Sequence, residues 1–293
     1  MQKRRWSLGM NTCGDLTVEA LDIIAEAGFD YVYIDRLKWD DPEADTGAEV
    51  LAARPEIKPY SVHLPTYQPP EGQGSAEQLV DHYSQCIKLA STCGVKHATF
   101  HCGRPAQKTE QEFQGGEWGT WGSYESICQC LREIAATANQ LGITINAENL
   151  LPDISGSTTW CFPEELIQLV DDVGAPNMGV CLDTGHCTIA GGDPAQFTRT
   201  LGSYLNETHF EDNYAPRFAG QPPWRGDLHR PPGIGLIDWP SVMDALVEIG
   251  YTGPVVFELE LGWEIDSLRT HAETAYRNWR RMEEAWHIMQ GQV

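Results

Sequence analysis

Short apolar runs alternate with stretches of helical periodicity along the whole 293-residue chain. A short continuous apolar run is typical of a buried parallel strand, whereas apolar residues three and four positions apart predict an amphipathic helix. The runs predict strands at 6–12, 31–35, 57–64, 97–101, 143–148, 178–183, 205–211 and 255–260. Helices are predicted at 16–28, 76–94, 124–141, from Pro163 onwards, and at 194–201, 240–249 and 267–289. A less regular segment follows the second strand, and counted with it the alternation gives eight strands and eight helices.

Eight alternating units with no linker or break in composition favour an α/β fold, a single (β/α)8 TIM barrel over residues 1–293, rather than a doubly wound open sheet. A chain of this length with 41% hydrophobic residues can bury one large core. In such a barrel the carboxyl ends of all eight strands surround one opening, where active sites of this fold lie. We therefore expect the functional residues at the strand ends.

In four of the predicted strands an apolar run ends on a side chain that can bind a divalent ion. Two glutamates, one aspartate and one histidine form an oxygen-rich set that suits Mn²⁺, Mg²⁺, Co²⁺ or Zn²⁺ and excludes soft-metal chemistry. Taken singly, such a residue can be an ordinary polar group at a strand end. Taken together on the last four strands, they predict one divalent metal ion bound by Glu148, Asp183, His209 and Glu258.

Five further polar residues lie at strand ends or in the loops that follow. They are candidates for substrate binding or for an additional metal ion: His63, His101, His186, Asp227 and His229. His63 and His101 can close the floor of a pocket, but they can equally be histidines that cap the core.

Two long connections, at 103–122 and 213–238, follow the fourth and seventh strands. Long loops in a compact chain commonly carry function, so the first is a candidate lid. The loops after strands four, seven and eight hold aromatic residues that can stack on a sugar ring or pack against the protein: Trp118, Trp121, Trp224 and Trp263. Three arginines are candidates for binding a phosphate, but no glycine-rich anion loop accompanies them: Arg217, Arg225 and Arg230.

Several short motifs follow one another in an order and spacing that suit a barrel. They are 61–65 (SVHLP), 100–103 (FHCG), 147–149 (AEN), 182–186 (LDTGH), 208–212 (THFED), 229–239 (HRPPGIGLIDW) and 257–258 (FE). In these motifs the chain resembles the xylose isomerase-like superfamily, which comprises sugar isomerases, epimerases and endonuclease IV-type barrels. The resemblance extends over essentially the whole length.

The resemblance to the ketose 3-epimerase branch implies that the four strand-end residues hold one divalent ion and that Glu148 and Glu258 also act as acid and base. An ion bound to adjacent carbonyl and hydroxyl oxygens acidifies the C–H between them and stabilises an enediolate. His186 and His229 would then orient substrate hydroxyls. The expected substrate is a small sugar or cyclitol. A related lyase of the inosose dehydratase type would use the same base to start an elimination.

The endonuclease IV branch is the main alternative. The pair Asp227 and His229 resembles its Asp-x-His pair, and His63, His101 and His186 resemble other ligands of its multi-zinc cluster. The net charge of −22, from 20 basic and 42 acidic residues, argues against it because duplex recognition needs several Lys or Arg contacts to phosphate. No nucleic acid and no membrane is therefore expected as a partner. A non-catalytic sugar-binding barrel is a third alternative.

The nine cysteines are odd in number, form no Cys-x-x-Cys pair and lie largely within apolar runs. These features predict buried free thiols in a reducing cytoplasm rather than disulfides. No stretch is long and apolar enough to cross a membrane. Assembly into a homo-oligomer stays open at the level of the sequence.

Overall fold

The computed structural model describes residues 4–37, 39, 47–69, 74–107, 113–116, 119–152, 158–214, 223–260 and 267–291. Its eight strands are β1 Leu8–Asn11, β2 Tyr31–Ile34, β3 Lys58–His63, β4 His97–Phe100, β5 Thr144–Glu148, β6 Met178–Asp183, β7 Leu205–His209 and β8 Val255–Phe257. They form one parallel sheet in the order β7-β6-β5-β4-β3-β2-β1-β8. Consecutive strands are therefore neighbours, and β1 lies between β2 and β8, as a barrel requires.

The sheet closes between β7 and β8 at the carboxyl ends of these strands. The backbone N–H of Phe210, the residue after β7, donates to the carbonyl of Val256 at 2.8 Å, and Glu258 N–H donates back to the carbonyl of Phe210 at 3.3 Å. Thr208 Oγ1 also accepts the N–H of Val256, at 3.0 Å. The predicted (β/α)8 TIM barrel is thus confirmed. A closed barrel brings residues after β8 next to residues at the end of β7.

Nine α-helices occur in the described part of the chain: α1 Val18–Ala27, α2 Ala48–Ala52, α3 Ala76–Thr92, α4 Tyr124–Gln140, α5 Pro163–Val173, α6 Thr184–Ile189, α7 Pro194–Leu201, α8 Trp239–Glu248 and α9 Leu268–Met289. The predicted number of eight is wrong by one, because no helix was predicted at α6, while α2 lies in the less regular segment. These two helices are six and five residues long, too short for an apolar period to identify. None of these helices is long and apolar enough to span a bilayer.

Serine, threonine and aspartate side chains begin most of the helices, as the preference for N-cap acceptors leads one to expect. Thr17 caps α1, Ser75 caps α3 and Ser123 caps α4. Gly28 ends α1 in the left-handed conformation, with φ of 107°, and a Cβ there would lie 2.7 Å from the ring of Tyr276. Glycine is therefore required by both the backbone and the packing.

Buried aromatic rings hold the last two helices against the strands that carry His209 and Glu258. Trp239 in α8 and Trp279 in α9 meet edge to face, with ring centroids 5.6 Å apart. The ring of Phe210 lies 5.3 Å from Trp239, and that of Phe257 lies 5.5 Å from Trp279. These contacts define the positions of the strand ends at the closing seam of the barrel.

Trp121 is a packing residue, which answers one of the alternatives that the sequence left open. Its ring stacks on Phe100 at 6.1 Å with an interplanar angle of 11°, and it is buried. Gly103 lies so close that a Cβ there would be 2.1 Å from the indole. Trp118, Trp263, Arg217 and the side chain of Trp224 lie outside the described residues, as do parts of the loop predicted to be a lid.

All nine cysteines are free thiols, and eight of them are buried. The interpretation of the cysteines as buried free thiols is confirmed. Burial raises the pKa of the Cys102 and Cys181 thiols, which keeps these side chains neutral.

Candidate active site

The carboxyl ends of the last four strands bring four predicted metal ligands together. Glu148 ends β5, Asp183 ends β6, His209 ends β7, and Glu258 follows β8. The strand register places Asp183 beside His209. One ligand atom from each of the four side chains lies within 4.8 Å of those of the other three. Parallel strands of a closed barrel converge on one opening, and this cluster, the β5–β8 cluster, lies there.

The imidazole of His209 contacts both glutamates through one nitrogen. Its Nδ1 is 3.1 Å from Glu148 Oε1 and 3.2 Å from Glu258 Oε2. Glu148 and His209 are fully buried, while 14% of the Glu258 side chain is exposed. A buried group of like-charged carboxylates is costly unless a positive charge accompanies it. His209 is the residue of this cluster that can carry a positive charge.

Asp183 uses its two oxygens differently. Oδ1 accepts the backbone N–H of His186 at 2.6 Å, which caps α6. Oδ2 is buried and has no hydrogen-bond partner among the residues that the structure describes. An unpaired carboxylate oxygen in a buried site is unfavourable, and a bound cation would satisfy it. The donor set and this oxygen therefore fit a divalent metal ion.

The pKa values of the cluster reflect burial opposed by neighbouring charge. Burial raises the pKa of Asp183 to about 7. Burial acts to raise the pKa of Glu258, but the charge of His209, its hydrogen bond and the charge of His229 together lower that pKa to about 2. For His209 itself, burial acts to lower the pKa, while Glu258 and Glu148 are among the neighbours that raise it well above the ordinary value.

Tyr33 is a site residue that the sequence analysis missed. It lies on β2, is fully buried, and donates its hydroxyl hydrogen to Glu258 Oε1 at 3.0 Å. Its ring packs on the imidazole of His209, with centroids 4.5 Å apart. Tyrosine is common in strands for packing reasons alone, so no sequence pattern distinguishes this one. Because the Tyr33 hydroxyl is hydrogen-bonded to Oε1, Oε2 is the Glu258 oxygen that contacts His209.

The other five predicted residues form two groups beside the β5–β8 cluster. The Nε2 atoms of His63 and His101 lie 3.5 Å and 3.4 Å from Glu148 Oε2, so Glu148 belongs to this group as well as to the β5–β8 cluster. Asp227 Oδ2 lies 3.2 Å from Nε2 of His186 and 3.2 Å from Nε2 of His229. All nine residues predicted from the sequence are therefore brought together at one end of the barrel.

The orientation of His186 and His229 is determined by acceptors on their Nδ1 atoms. Nδ1 of His186 lies 2.8 Å from the carbonyl oxygen of Asn149, which can only accept a hydrogen bond. Nδ1 of His229 lies 2.9 Å from Glu211 Oε2, a fully buried carboxylate whose role the sequence did not reveal. Both rings therefore present Nε2 to Asp227, whose Oδ1 is another buried oxygen without a hydrogen-bond partner in the described ranges. This third group also fits a cation.

A cavity of about 640 Å³ opens beside these groups. His63, His101, His229 and Glu258 line it, together with Asp35 from the end of β2. Cavities that bind small molecules commonly measure about 300–1,000 Å³. The cavity therefore has room for a sugar-sized molecule in contact with the clustered side chains.

A family model described as "Xylose isomerase-like TIM barrel" matches residues 21–282. The chain belongs to this family. The match covers most of the chain and includes every residue of the three groups. The resemblance inferred from the short motifs is thereby confirmed.

Curated relatives of this xylose isomerase-like barrel include sugar epimerases and a dehydratase. A D-psicose 3-epimerase of Ruminiclostridium cellulolyticum is 31% identical over 140 residues, which are 47% of this chain and 41% of the relative. An inosose dehydratase of Bacillus velezensis is 24% identical over 200 residues, 63% of this chain and 62% of the relative. The chain spans about two fifths of the length of the first curated relatives it matches.

Solved structures of low sequence identity share the fold of this barrel over nearly its whole length. An L-ribulose 3-epimerase superposes with a TM-score of 0.72 at 19% identity, covering 98% of this chain and 97% of its own. A D-allulose 3-epimerase from Methylomonas sp. gives a TM-score of 0.70 at 17% identity, covering 95% and 98%. At these identities the likeness concerns the fold.

Proposed function

We propose that this protein is a divalent-metal-dependent sugar epimerase or isomerase that moves a proton at a carbon next to a carbonyl, through an enediolate. The observation that carries the proposal is the proximity of two carboxylates, Glu148 and Glu258, to the same atom, His209 Nδ1, in one buried cluster. Relatives named as D-psicose 3-epimerase and L-ribulose 3-epimerase support the choice of substrate class.

In this proposal Glu148, Asp183, His209 and Glu258 hold one divalent ion. When bound there, the ion supplies positive charge that makes the C–H beside a carbonyl more acidic. Glu258 accepts the proton on one face of the sugar and Glu148 returns a proton on the other, or the reverse. Tyr33 holds Glu258 in place through its hydroxyl, while His186 and His229 orient substrate hydroxyl groups.

The test starts from protein stripped with a chelator and re-supplied separately with Mn²⁺, Co²⁺, Mg²⁺ or Zn²⁺. Each sample is incubated with a panel of ketopentoses, ketohexoses and cyclitols, and the products are identified by NMR. We expect epimer or isomer formation that depends on the added ion. Absence of any product from all four metals and the whole panel would overturn the proposal.

A dehydratase is the first alternative, because the inosose dehydratase matches a larger share of this chain than the psicose epimerase does. The same proton abstraction would then be followed by loss of a neighbouring hydroxyl as water. The NMR analysis separates the two, since an epimer keeps every hydroxyl of the substrate whereas an elimination product lacks one. A non-catalytic sugar-binding barrel predicts binding without either product.

A second candidate, phosphodiester hydrolysis at a multinuclear zinc centre, is favoured by one observation. Two of the three groups share Glu148, and Asp183 of the β5–β8 cluster lies close to His229 of the third group, so the site has ligands for more than one ion. The net charge of −22 opposes binding of a nucleic acid backbone. Metal counting by mass spectrometry decides the matter: one ion per chain together with no cleavage of abasic DNA removes this candidate, and three zinc ions with cleavage would establish it.

A further inference from the structure

Glu207 is a fully buried carboxylate inside the barrel that the proposed chemistry leaves without a role. It precedes His209 by two residues on β7, so both side chains lie on the inner face of that strand, with Glu207 one layer deeper. Thr99 on β4 donates its hydroxyl hydrogen to Glu207 Oε2 at 2.7 Å, and Asn146 on β5 donates from Nδ2 to the same oxygen at 3.0 Å. One oxygen is therefore fully satisfied by buried donors.

The second oxygen of Glu207 faces His209. Oε1 lies 3.7 Å from His209 Nε2, just longer than a hydrogen bond, and neither atom makes a hydrogen bond in the described part of the chain. The buried thiol of Cys181 lies in the same group, within 4.8 Å of the ligand atoms of Glu207 and His209. Nε2 is the nitrogen on the far side of the ring from Glu148 and Glu258, which lie near Nδ1. A small movement of either side chain would join the two unpartnered atoms.

We propose that Glu207 is a positioning residue that accepts the Nε2 proton of His209 and so keeps Nδ1 as the free nitrogen turned to the divalent ion; this inference rests on the metal centre of the proposed function. A carboxylate can only accept, and a neutral imidazole carries its proton on one nitrogen. Pairing Nε2–H with Glu207 therefore leaves the lone pair on Nδ1. Carboxylates that orient metal-binding histidines in this way are common around metal sites.

The neighbouring histidines are oriented through the opposite nitrogen. His186 and His229 use Nδ1 for an acceptor and present Nε2, whereas His209 uses Nε2 and presents Nδ1. The strand explains the difference, because the acceptor for His209 lies two residues earlier on its own strand, beneath the ring.

The experiment compares Glu207→Gln with Thr99→Val by calorimetric titration of Co²⁺ into chelator-treated protein and by thermal unfolding of the metal-free variants. In Glu207→Gln the amide oxygen stays with Thr99 and Asn146, which both donate, and the NH₂ group faces His209 Nε2. That contact favours a proton on Nδ1, the wrong nitrogen for binding an ion. Thr99→Val is the matched control, since it removes a buried donor from the other oxygen of the same carboxylate.

We expect Glu207→Gln to weaken Co²⁺ binding about 10- to 100-fold, the range found for such supporting residues, with Thr99→Val within about threefold of the wild type. Glu207→Asp keeps the charge with a shorter reach and should fall between the wild type and Glu207→Gln. If Glu207→Gln does not fold, Glu207→Asp provides the test, because a wild-type Co²⁺ affinity in that variant would overturn the inference.

Equal losses in Glu207→Gln and Thr99→Val would show a purely structural role and overturn the inference, as would wild-type affinity in Glu207→Gln. A wild-type protein that binds no Co²⁺ contradicts both this inference and the proposed function. A wild-type protein that binds Co²⁺ but converts no sugar overturns the proposed function alone.

Discussion

At the scale of single residues, the site depends on how each carboxylate divides its two oxygens. Asp183 gives one oxygen to the start of α6 and leaves the other without a partner in the described residues, which supports its proposed role as a ligand only. Glu258 gives one oxygen to Tyr33 and keeps Oε2 beside His209, at the edge of the cavity. Glu258 is therefore placed to contact both an ion and a substrate.

Asp35 gives a pH-dependent prediction for the metal-free protein. Burial and the nearby charge of Glu258 raise the pKa of Asp35 from 3.8 to about 7. Between these two values the unfolded chain has released the proton while the folded chain keeps it, so the carboxyl lowers stability as pH rises. We expect Asp35→Asn to gain stability relative to the wild type from pH 4 to 7, with a constant difference above pH 7.

Thermal unfolding of both proteins across this pH range, in the presence of chelator, measures the difference. The Asp35→Asn variant keeps a side-chain acceptor for Gly14 N–H, which donates to Asp35 Oδ2 at 2.9 Å in the wild type. A difference between the two proteins that does not change with pH would contradict the raised pKa.

The nine predicted site residues were accessible from the sequence because each ends a strand or lies in the loop or helix that follows one. Tyr33, Glu207 and Glu211 were not. Their roles depend on contacts with residues of other strands, across or beneath the barrel opening. The local sequence pattern of one strand does not indicate which side chains of other strands it contacts. A tyrosine or glutamate within a strand is otherwise unremarkable in a sequence.

At the scale of elements, the number and order of the strands were predicted correctly, but the positions of the strand ends were predicted less accurately. The eighth strand was predicted at 255–260 but covers only Val255–Phe257, because ladder pairing to neighbours determines where a strand ends. Glu258 thus lies beyond the strand, where its backbone N–H donates a hydrogen bond to the carbonyl of Phe210. The helix α6 was missed because it is nucleated by the side chain of Asp183 rather than by an apolar period.

Asp212 supports a prediction about the segment that carries His229. It is fully buried and accepts hydrogen bonds from Gly233 N–H at 2.8 Å, Trp239 Nε1–H at 2.9 Å and Ile237 N–H at 3.2 Å. Asp212→Ala would leave these donors without a partner. At about 1–3 kcal/mol for a buried unsatisfied group, we expect it to lower the free energy of unfolding by about 3 kcal/mol or more.

Denaturant unfolding measures this loss, and Asp212→Asn is the matched control. The asparagine keeps one carbonyl oxygen for part of the donors, so its loss should be smaller than that of Asp212→Ala. If the alanine variant were as stable as the wild type, the segment 229–239 would not depend on Asp212.

At the scale of the whole molecule, the site joins distant parts of the chain. The four proposed ligands of the β5–β8 cluster lie between positions 148 and 258, at the ends of the strands that close the barrel. A divalent ion that binds the folded chain and not the unfolded chain stabilises the fold by mass action. The barrel should therefore be more stable with the ion than after chelation.

We expect Mn²⁺ at about 100 times its dissociation constant to raise the free energy of unfolding by about 2.7 kcal/mol. Asp183→Asn should need a higher Mn²⁺ concentration for the same rise, because its amide is a weaker ligand than a carboxylate. Scanning calorimetry at increasing Mn²⁺ measures both curves. Identical curves for the two proteins would contradict the assignment of Asp183 as a ligand.

The most direct test of the proposed chemistry is the exchange of a substrate C–H with deuterated water, measured by NMR on Mn²⁺-loaded wild type and Glu258→Gln. The glutamine keeps an oxygen for the ion but loses basicity, so metal content should stay near that of the wild type while exchange falls about 100-fold or more. Glu260→Gln, two residues further on, is the control and should exchange normally. Near-normal exchange in metal-loaded Glu258→Gln would contradict the assignment of Glu258 as the proton-transfer group.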